Sequence, residues 1–169
     1  MNQAVREMLN KYQINNPNDA ENAIKEIIQE ITLLGLHRAN FFEKAAFYGG
    51  TALRVLYSLP RFSEDLDFTL FKPDKEFSLK PYFSSIEKEL NSYGFEMKAE
   101  VAEKKIKSEI ESAFIKGNTK IHFFKIESLK AFDNKIPTNA KLQIKFEVDT
   151  DPVKNFEIET RYVLAPTSF

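Results

Sequence analysis

The chain has 169 residues, a formal net charge of −1, 43% hydrophobic residues, sixteen Phe, no Trp and no Cys. That length suits one domain, and the apolar share suits a strongly aromatic core. The composition excludes a disulfide framework and a thiolate zinc site, a membrane span, which needs about 20 apolar residues, and a uniformly basic nucleic-acid binder. The polar N-terminus, Met1 to Lys11, is unlike a signal peptide, and with the absence of Cys it fits a cytoplasmic location.

Asn16-Pro17-Asn18-Asp19 is predicted to turn the chain and start a helix, with Asp19 or Asn18 as the N-cap. Ile24, Ile27, Ile28, Ile31 and Leu34 then recur at helical spacing, as a packing stripe does. A second helical stretch is predicted over His37 to Glu43. Ala45 to Tyr48 has the look of a short buried strand, broken by Gly49-Gly50, and Thr51 to Tyr57 of a short helix. Glu64 to Leu70 is predicted as a strand. Pro81 to Tyr93 is predicted as a helix, stopped by Gly94. Phe95 to Val101 alternates like a strand, and Ala113 to Ile126 resembles a hairpin around Gly117-Asn118. Leu142, Ile144, Phe146 and Val148 alternate with Gln143, Lys145, Glu147 and Asp149, the clearest period-2 pattern in the chain. Asp151-Pro152 turns that strand, and Phe156 to Val163 is predicted as the last one. Mixed helices and strands of this kind imply an α+β fold, an α/β sandwich around a mixed sheet. The helical segment is expected over 1–44 and the mixed-sheet core over 45–165.

Charge is uneven. Between Lys104 and Lys145 stand ten Lys and only Glu109, Glu111, Glu127 and Asp133, a local balance of +6. Such a stretch attracts phosphates, although Lys on solvated strands and at sheet edges produces the same pattern.

Two features carry chemistry together. Gly49-Gly50-Thr51 stands between a strand and a helix start, where glycine admits a phosphate close to the backbone and the helix dipole favours its charge. The Thr51 hydroxyl can donate a further hydrogen bond. Asp65 and Asp67 follow two residues apart on the next strand, so both project from one face while Leu66 and Phe68 enter the core. Paired carboxylates suit a hard cation, Mg²⁺ or Mn²⁺, which can bridge the phosphates of a nucleotide. Either feature alone is common, Asp-x-Asp as a solvated turn and Gly-Gly as a tight bend. Their order is what points to a site. His37 and His122 have no metal-ligand spacing and are expected to be structural or surface residues.

Phe47-Tyr48-Gly49-Gly50-Thr51-Ala52-Leu53, followed by Arg61-Phe62-Ser63-Glu64-Asp65-Leu66-Asp67-Phe68, resembles the signature of the AbiEii/AbiGii toxin family, polymerase-β-like nucleotidyltransferases of bacterial toxin–antitoxin and phage-defence systems. The resemblance is close over Phe47 to Leu70. It implies the polymerase-β-like fold with N-terminal helices, a triphosphate held at Gly49, Gly50 and Thr51, and Mg²⁺ (or Mn²⁺) on Asp65 and Asp67. It further implies an NTP substrate, an acceptor hydroxyl on RNA (tRNA included) or protein, a cognate antitoxin and no membrane. Lys145-Phe146-Glu147-Val148 matches a later motif of the family. Its implied roles are phosphate contact for Lys145, and third carboxylate or base for Glu147. Ordinary strand alternation produces the same four residues, and Asp149 shares their face. Arg61 and Ser63 also match the signature. Arg61 can touch phosphate or pair with Glu64 or Asp65, and Ser63 can brace the loop before the metal strand. A further Asp-Lys motif of the family, on a C-terminal helix, has no counterpart before Phe169, since Asp133-Asn134-Lys135 is loop-like. The chain is therefore expected to be an N-terminal domain or a reduced member. Two alternatives remain: a non-catalytic binding or antitoxin-docking module that keeps the fold, and a metal-dependent phosphohydrolase using the same carboxylates.

Overall fold

The computed structural model describes residues 3–102, 108–119, 122, 126, 129, 132, 134–135 and 138–163. Two helices lead, α1 (Gln3–Leu9) and α2 (Pro17–Arg38), followed by a single 3-10 turn (Phe41–Glu43). Then come β1 (Ala45–Tyr48), α3 (Gly49–Tyr57), β2 (Leu66–Leu70), α4 (Lys80–Ser92), β3 (Lys98–Val101), β4 (Ile110–Asn118) and β5 (Lys141–Asp149). The five strands form one mixed sheet in the order β1-β2-β5-β4-β3, in which β2 and β5 run parallel and the other neighbours antiparallel. The α+β expectation is met. No helix among the described residues is long and apolar enough to cross a membrane.

Alternation sorts the sheet into two faces. Leu66, Phe68 and Leu70 of β2, with Leu142, Ile144, Phe146 and Val148 of β5, are buried. They meet the isoleucine stripe of α2, where Ile24, Ile27, Ile28 and Ile31 are fully buried, and the inner side of α4. Aromatic rings fill the join: Phe41 lies edge-on to Phe68 at 4.9 Å and to Tyr82 at 5.1 Å, and Phe83 of α4 reaches Phe146 at 6.3 Å. The opposite face carries Asp67, Lys145, Glu147 and Asp149, all only half-buried.

Several local expectations change. The N-cap of α2 is Asn16, whose side chain accepts from the backbone N–H of Asn18 and Asp19 at 2.9 and 3.0 Å. Pro17 takes the first helical position, where its missing N–H costs nothing. The helix predicted over His37 to Glu43 is divided: α2 ends at Arg38, Asn40 adopts φ 57°, and a 3-10 turn follows. Gly117-Asn118 is no hairpin turn, because both residues belong to β4 and pair with Leu142 and Lys141 of β5. Residues 156–163 lie in no strand. Asp65 precedes β2 rather than lying within it. Most of the lysines between Lys104 and Lys145, with Asp133, lie outside the described residues.

Polar residues break the apolar character of α2 on its side toward α3. Glu26, Gln29 and Glu30 are all buried. Arg54 of α3 is ion-paired with Glu26 and donates to the carbonyls of Leu59 and Pro60 at 3.1 and 2.8 Å, so one side chain ties α2, α3 and the following loop. The Glu30 carboxyl is pushed from 4.5 to about 7, first by burial and then by Glu26, with Lys11 and Arg54 opposing. Burial and the same two acids hold the Tyr12 phenol well above its ordinary range.

Because the folded state raises the Glu30 pKa, its stability is full below about 4.5 and is lost as pH rises through about 7. Glu30→Gln removes that penalty. Urea denaturation should find the variant close to the parent at pH 4 and more stable at pH 8, by on the order of 2 kcal/mol. A gain of the same size at both values would show that Glu30 is not the titrating group.

Candidate active site

The site grows out of strand register. Tyr48 of β1 is opposite Asp67 of β2, Asp67 is beside Glu147 of β5, and Glu147 is opposite Ser112 of β4. With neighbouring strands about 4.8 Å apart, these four side chains form a row across the open face of the sheet. Glu147 is held on both oxygens: Oε1 accepts from Ser112 Oγ at 2.8 Å and Oε2 from Lys145 Nζ at 2.7 Å. Asp149 is one pair further along, beside Thr69, and its Oδ1 accepts from the N–H of Asp151 at 3.0 Å. Register therefore places Glu147, and not Asp149, next to Asp67.

The two aspartates feel each other and β5. Asp67 is raised above its ordinary pKa by burial first, then by Asp65 and Glu147, with Lys145 opposing. Asp65 is raised by burial first, lowered by Lys145, and raised again by Glu147 and Glu64. Lys145 is raised chiefly through its hydrogen bond to Glu147, with Asp65 and Asp67 adding. Burial, then Asp67, Asp149 and Glu147, raises the Tyr48 phenol. Lys145, Glu147, Asp65 and Asp67 thus share one electrostatic neighbourhood.

The helix start closes that neighbourhood. α3 begins at Gly49, with Tyr48 as N-cap and no side chain capping its first amides. Those N–H groups keep their capacity to bind an anion. Gly49 has φ +78°, and a Cβ there would lie 2.6 Å from Asp67 Oδ2. Only glycine fits, and the Asp67 carboxylate packs directly on the turn. A Cβ on Gly50 would lie 2.9 Å from Ser63 Oγ, so Ser63 braces the other side. Thr51 differs from the expectation. It is buried and its hydroxyl donates to the carbonyl of Asp65, which makes it a tie between α3 and the aspartate segment rather than a donor facing outward. Arg61 is exposed and pairs with neither Glu64 nor Asp65. His37 is exposed, while His122 is buried against the Phe95 ring at 5.5 Å.

The donor set is all oxygen, the set that suits Mg²⁺ or Mn²⁺. Asp65 makes Asp67 harder to ionise, a repulsion that a dication relieves. Among the described residues no three His, Asp or Glu side chains are gathered closely enough to hold a metal as they stand. Both oxygens of Glu147 are bonded to Ser112 and Lys145. The residues fit the cation in kind: among the described residues neither the Asp65 nor the Asp67 carboxylate has a hydrogen-bond partner, while Glu147 is bonded to Lys145 and Ser112.

A mixed five-stranded sheet backed by helices, with a glycine turn and helix start facing paired aspartates, defines an α+β protein of the nucleotidyltransferase type. The chain belongs to the AbiEii family, described as nucleotidyl transferase toxins of type IV toxin–antitoxin systems, whose model matches residues 31–165. No curated protein and no solved structure gives a significant match.

Sequence reasoning missed Ser112 and Gln29 and left Tyr48 without a role. Ser112 becomes visible only once β4 is registered on β5. For Gln29 a signal was present: Glu26, Gln29 and Glu30 form a polar stripe at helical spacing beside the isoleucine stripe.

Gly49→Ala tests the turn. The positive φ costs about 1 kcal/mol for a side chain, and displacement of Asp67 adds to it. Urea titration should show a larger loss than that backbone cost. In an Asp67→Ser background, where the contact is relieved, the loss should fall back toward it. An additive pair would mean that Asp67 does not pack on Gly49.

Proposed function

We propose that the chain transfers a nucleotidyl group from an NTP to an acceptor hydroxyl, on RNA or protein, as a divalent-metal enzyme acting as the toxin of a toxin–antitoxin or phage-defence system in the cytoplasm. The observation that carries this is the register that sets Asp67 beside Glu147 and under the glycine turn. Family membership supports the reaction class.

In this reading Asp65 and Asp67 would hold Mg²⁺ or Mn²⁺, Glu147 would be the third carboxylate, and Lys145 would contact phosphate. The ion supplies charge neutralisation for the triphosphate and for the charge that develops on transfer. The backbone N–H groups at the start of α3 receive phosphate oxygens, and Gly49 and Gly50 let those oxygens approach. Lys145 carries its charge in the field of Asp65 and Asp67, so it would serve as a cation for the phosphates. Arg61, which is exposed, would add a bidentate phosphate donor. The acceptor oxygen bonds to the α-phosphorus as the bond to pyrophosphate breaks, and a carboxylate of the row takes the hydroxyl proton.

One observation favours a second reading. Both oxygens of Glu147 are satisfied by the protein's own donors, Ser112 and Lys145, as suits a binding module that has kept the fold.

Transfer of labelled nucleotide to acceptor tests both. Asp65→Asn and Asp67→Asn should each abolish it. Glu147→Gln should lower it by about 10² or more, and Asp149→Asn should change it little. Larger loss from Asp149→Asn than from Glu147→Gln would contradict the register argument. Phosphate release without labelling would indicate a hydrolase, and nucleotide binding without turnover would indicate the module.

A further inference from the structure

Asp67 belongs to β2 and is held by the sheet on both sides. Asp65 is not. The ladder begins at Leu66, and the segment before it has no strand partner. Its backbone is held instead by side chains from two helices. Gln29 of α2 donates from Nε2 to the carbonyls of Ser63 at 3.0 Å and Glu64 at 2.8 Å. Thr51 of α3 donates to the next carbonyl, that of Asp65. Three successive carbonyls are thus held before the chain enters the sheet, and Lys25 of α2 reaches the Glu64 carboxylate at 3.4 Å.

Gln29 is 1% exposed, and both its partners are oxygens that only accept, so the amide end that faces them is the NH₂. Its Oε1 is buried and has no partner among the described residues. An apolar side chain, such as the isoleucines along α2, would bury this position without that orphan. The residue therefore does something that packing does not require. It also stands before the segment that the family model matches, which starts at residue 31.

We propose that Gln29 is a positioning residue for Asp65: together with Thr51 it replaces the missing strand pairing and sets the Asp65 carboxylate beside Asp67 for joint binding of a divalent cation. This rests on the reading of Asp65 and Asp67 as metal carboxylates. Two helices then share the placement of one carboxylate, and a change in α2 is transmitted to the site without touching nucleotide or metal.

The test uses the full chain with Gln29→Met, which keeps the length and apolar bulk and removes the donors and the orphan oxygen. Three measurements are compared with the unsubstituted protein: thermal denaturation, amide hydrogen exchange over residues 63–67, and affinity for Mn²⁺ alone by calorimetry. Denaturation should be unchanged or shifted upward. Exchange at Glu64 and Asp65 should quicken while that at Asp67 does not. Mn²⁺ affinity should fall about tenfold or more, the usual effect of losing a group that orients a ligand. In an Asp65→Ala background Gln29→Met should cause no further loss of Mn²⁺ affinity. If Gln29→Met does not fold, Gln29→Asn, one methylene too short to reach both carbonyls, should give the same pattern. Unchanged exchange and affinity, or an equal loss in the Asp65→Ala background, would overturn the proposal alone. Failure of the unsubstituted protein to bind Mn²⁺ would overturn the metal reading, and this proposal with it.

Discussion

The parallel pairing of β2 with β5 determines where every other part of the site lies. β2 is flanked on both sides, by β1 antiparallel and β5 parallel. A parallel neighbour cannot be supplied by a tight turn, because the chain must cross over and return in the same direction. Between the two strands it builds α4, β3 and β4. The register is pinned from beneath, where Leu66, Phe68, Phe146 and Val148 are buried under α2 and α4. A slip of β2 by one residue would turn Leu66 and Phe68 outward and bury Asp67, and a slip of β5 would do the same to Phe146, Val148 and Glu147. The hydrophobic face thus enforces the placement of the carboxylates on the opposite one.

That placement works against the stability of the protein by itself. Asp65, Asp67 and Glu147 repel one another where water is partly excluded, and burial is the leading reason that both aspartates are harder to ionise. Lys145 offsets part of this through its contact with Glu147. A set of like charges held rigid by a sheet and by a helix start has the physical character of a site prepared for a cation. The same feature appears on the α2 side, where Glu26 and Glu30 lie buried beside Arg54. There the cation is a side chain of the protein, and the cluster joins helices instead of receiving a ligand.

Much of this was legible in the sequence where one element decides the outcome. The alternation from Leu142 to Asp149 specifies β5, and the isoleucine stripe from Ile24 to Ile31 specifies the inner side of α2, because local periodicity reports burial directly. Gly49-Gly50 followed by Asp65-Leu66-Asp67 marks the site, because a positive φ and paired carboxylates need those residue types. What depended on pairing between distant strands was not legible. Alternation alone does not separate Glu147 from Asp149; the family's motif singles out Glu147, and the register against β2 sets it beside Asp67. Gly117-Asn118 has the composition of a turn but is drawn into β4 by pairing with Leu142 and Lys141. Phe156 to Val163 alternates like a strand and finds no sheet edge. Thr51 stands at the right place for a phosphate donor, yet its hydroxyl donates to the nearby Asp65 carbonyl. The buried polar residues of α2 were overlooked because the apolar stripe beside them explains the helix sufficiently.

The proposal is spatial: one divalent cation with a nucleotide would bind where β2, β5 and the start of α3 meet. Paramagnetic broadening by Mn²⁺ measures this directly. On titrating Mn²⁺ with a non-hydrolysable NTP analogue into the isotopically labelled protein, amide signals of Gly49 to Thr51, Asp65 to Asp67 and Lys145 to Glu147 should broaden first and together. Those of Ser92 and Lys98, at the far side of the sheet, should persist. Broadening centred elsewhere, or spread evenly over the acidic residues of the surface, would contradict the account.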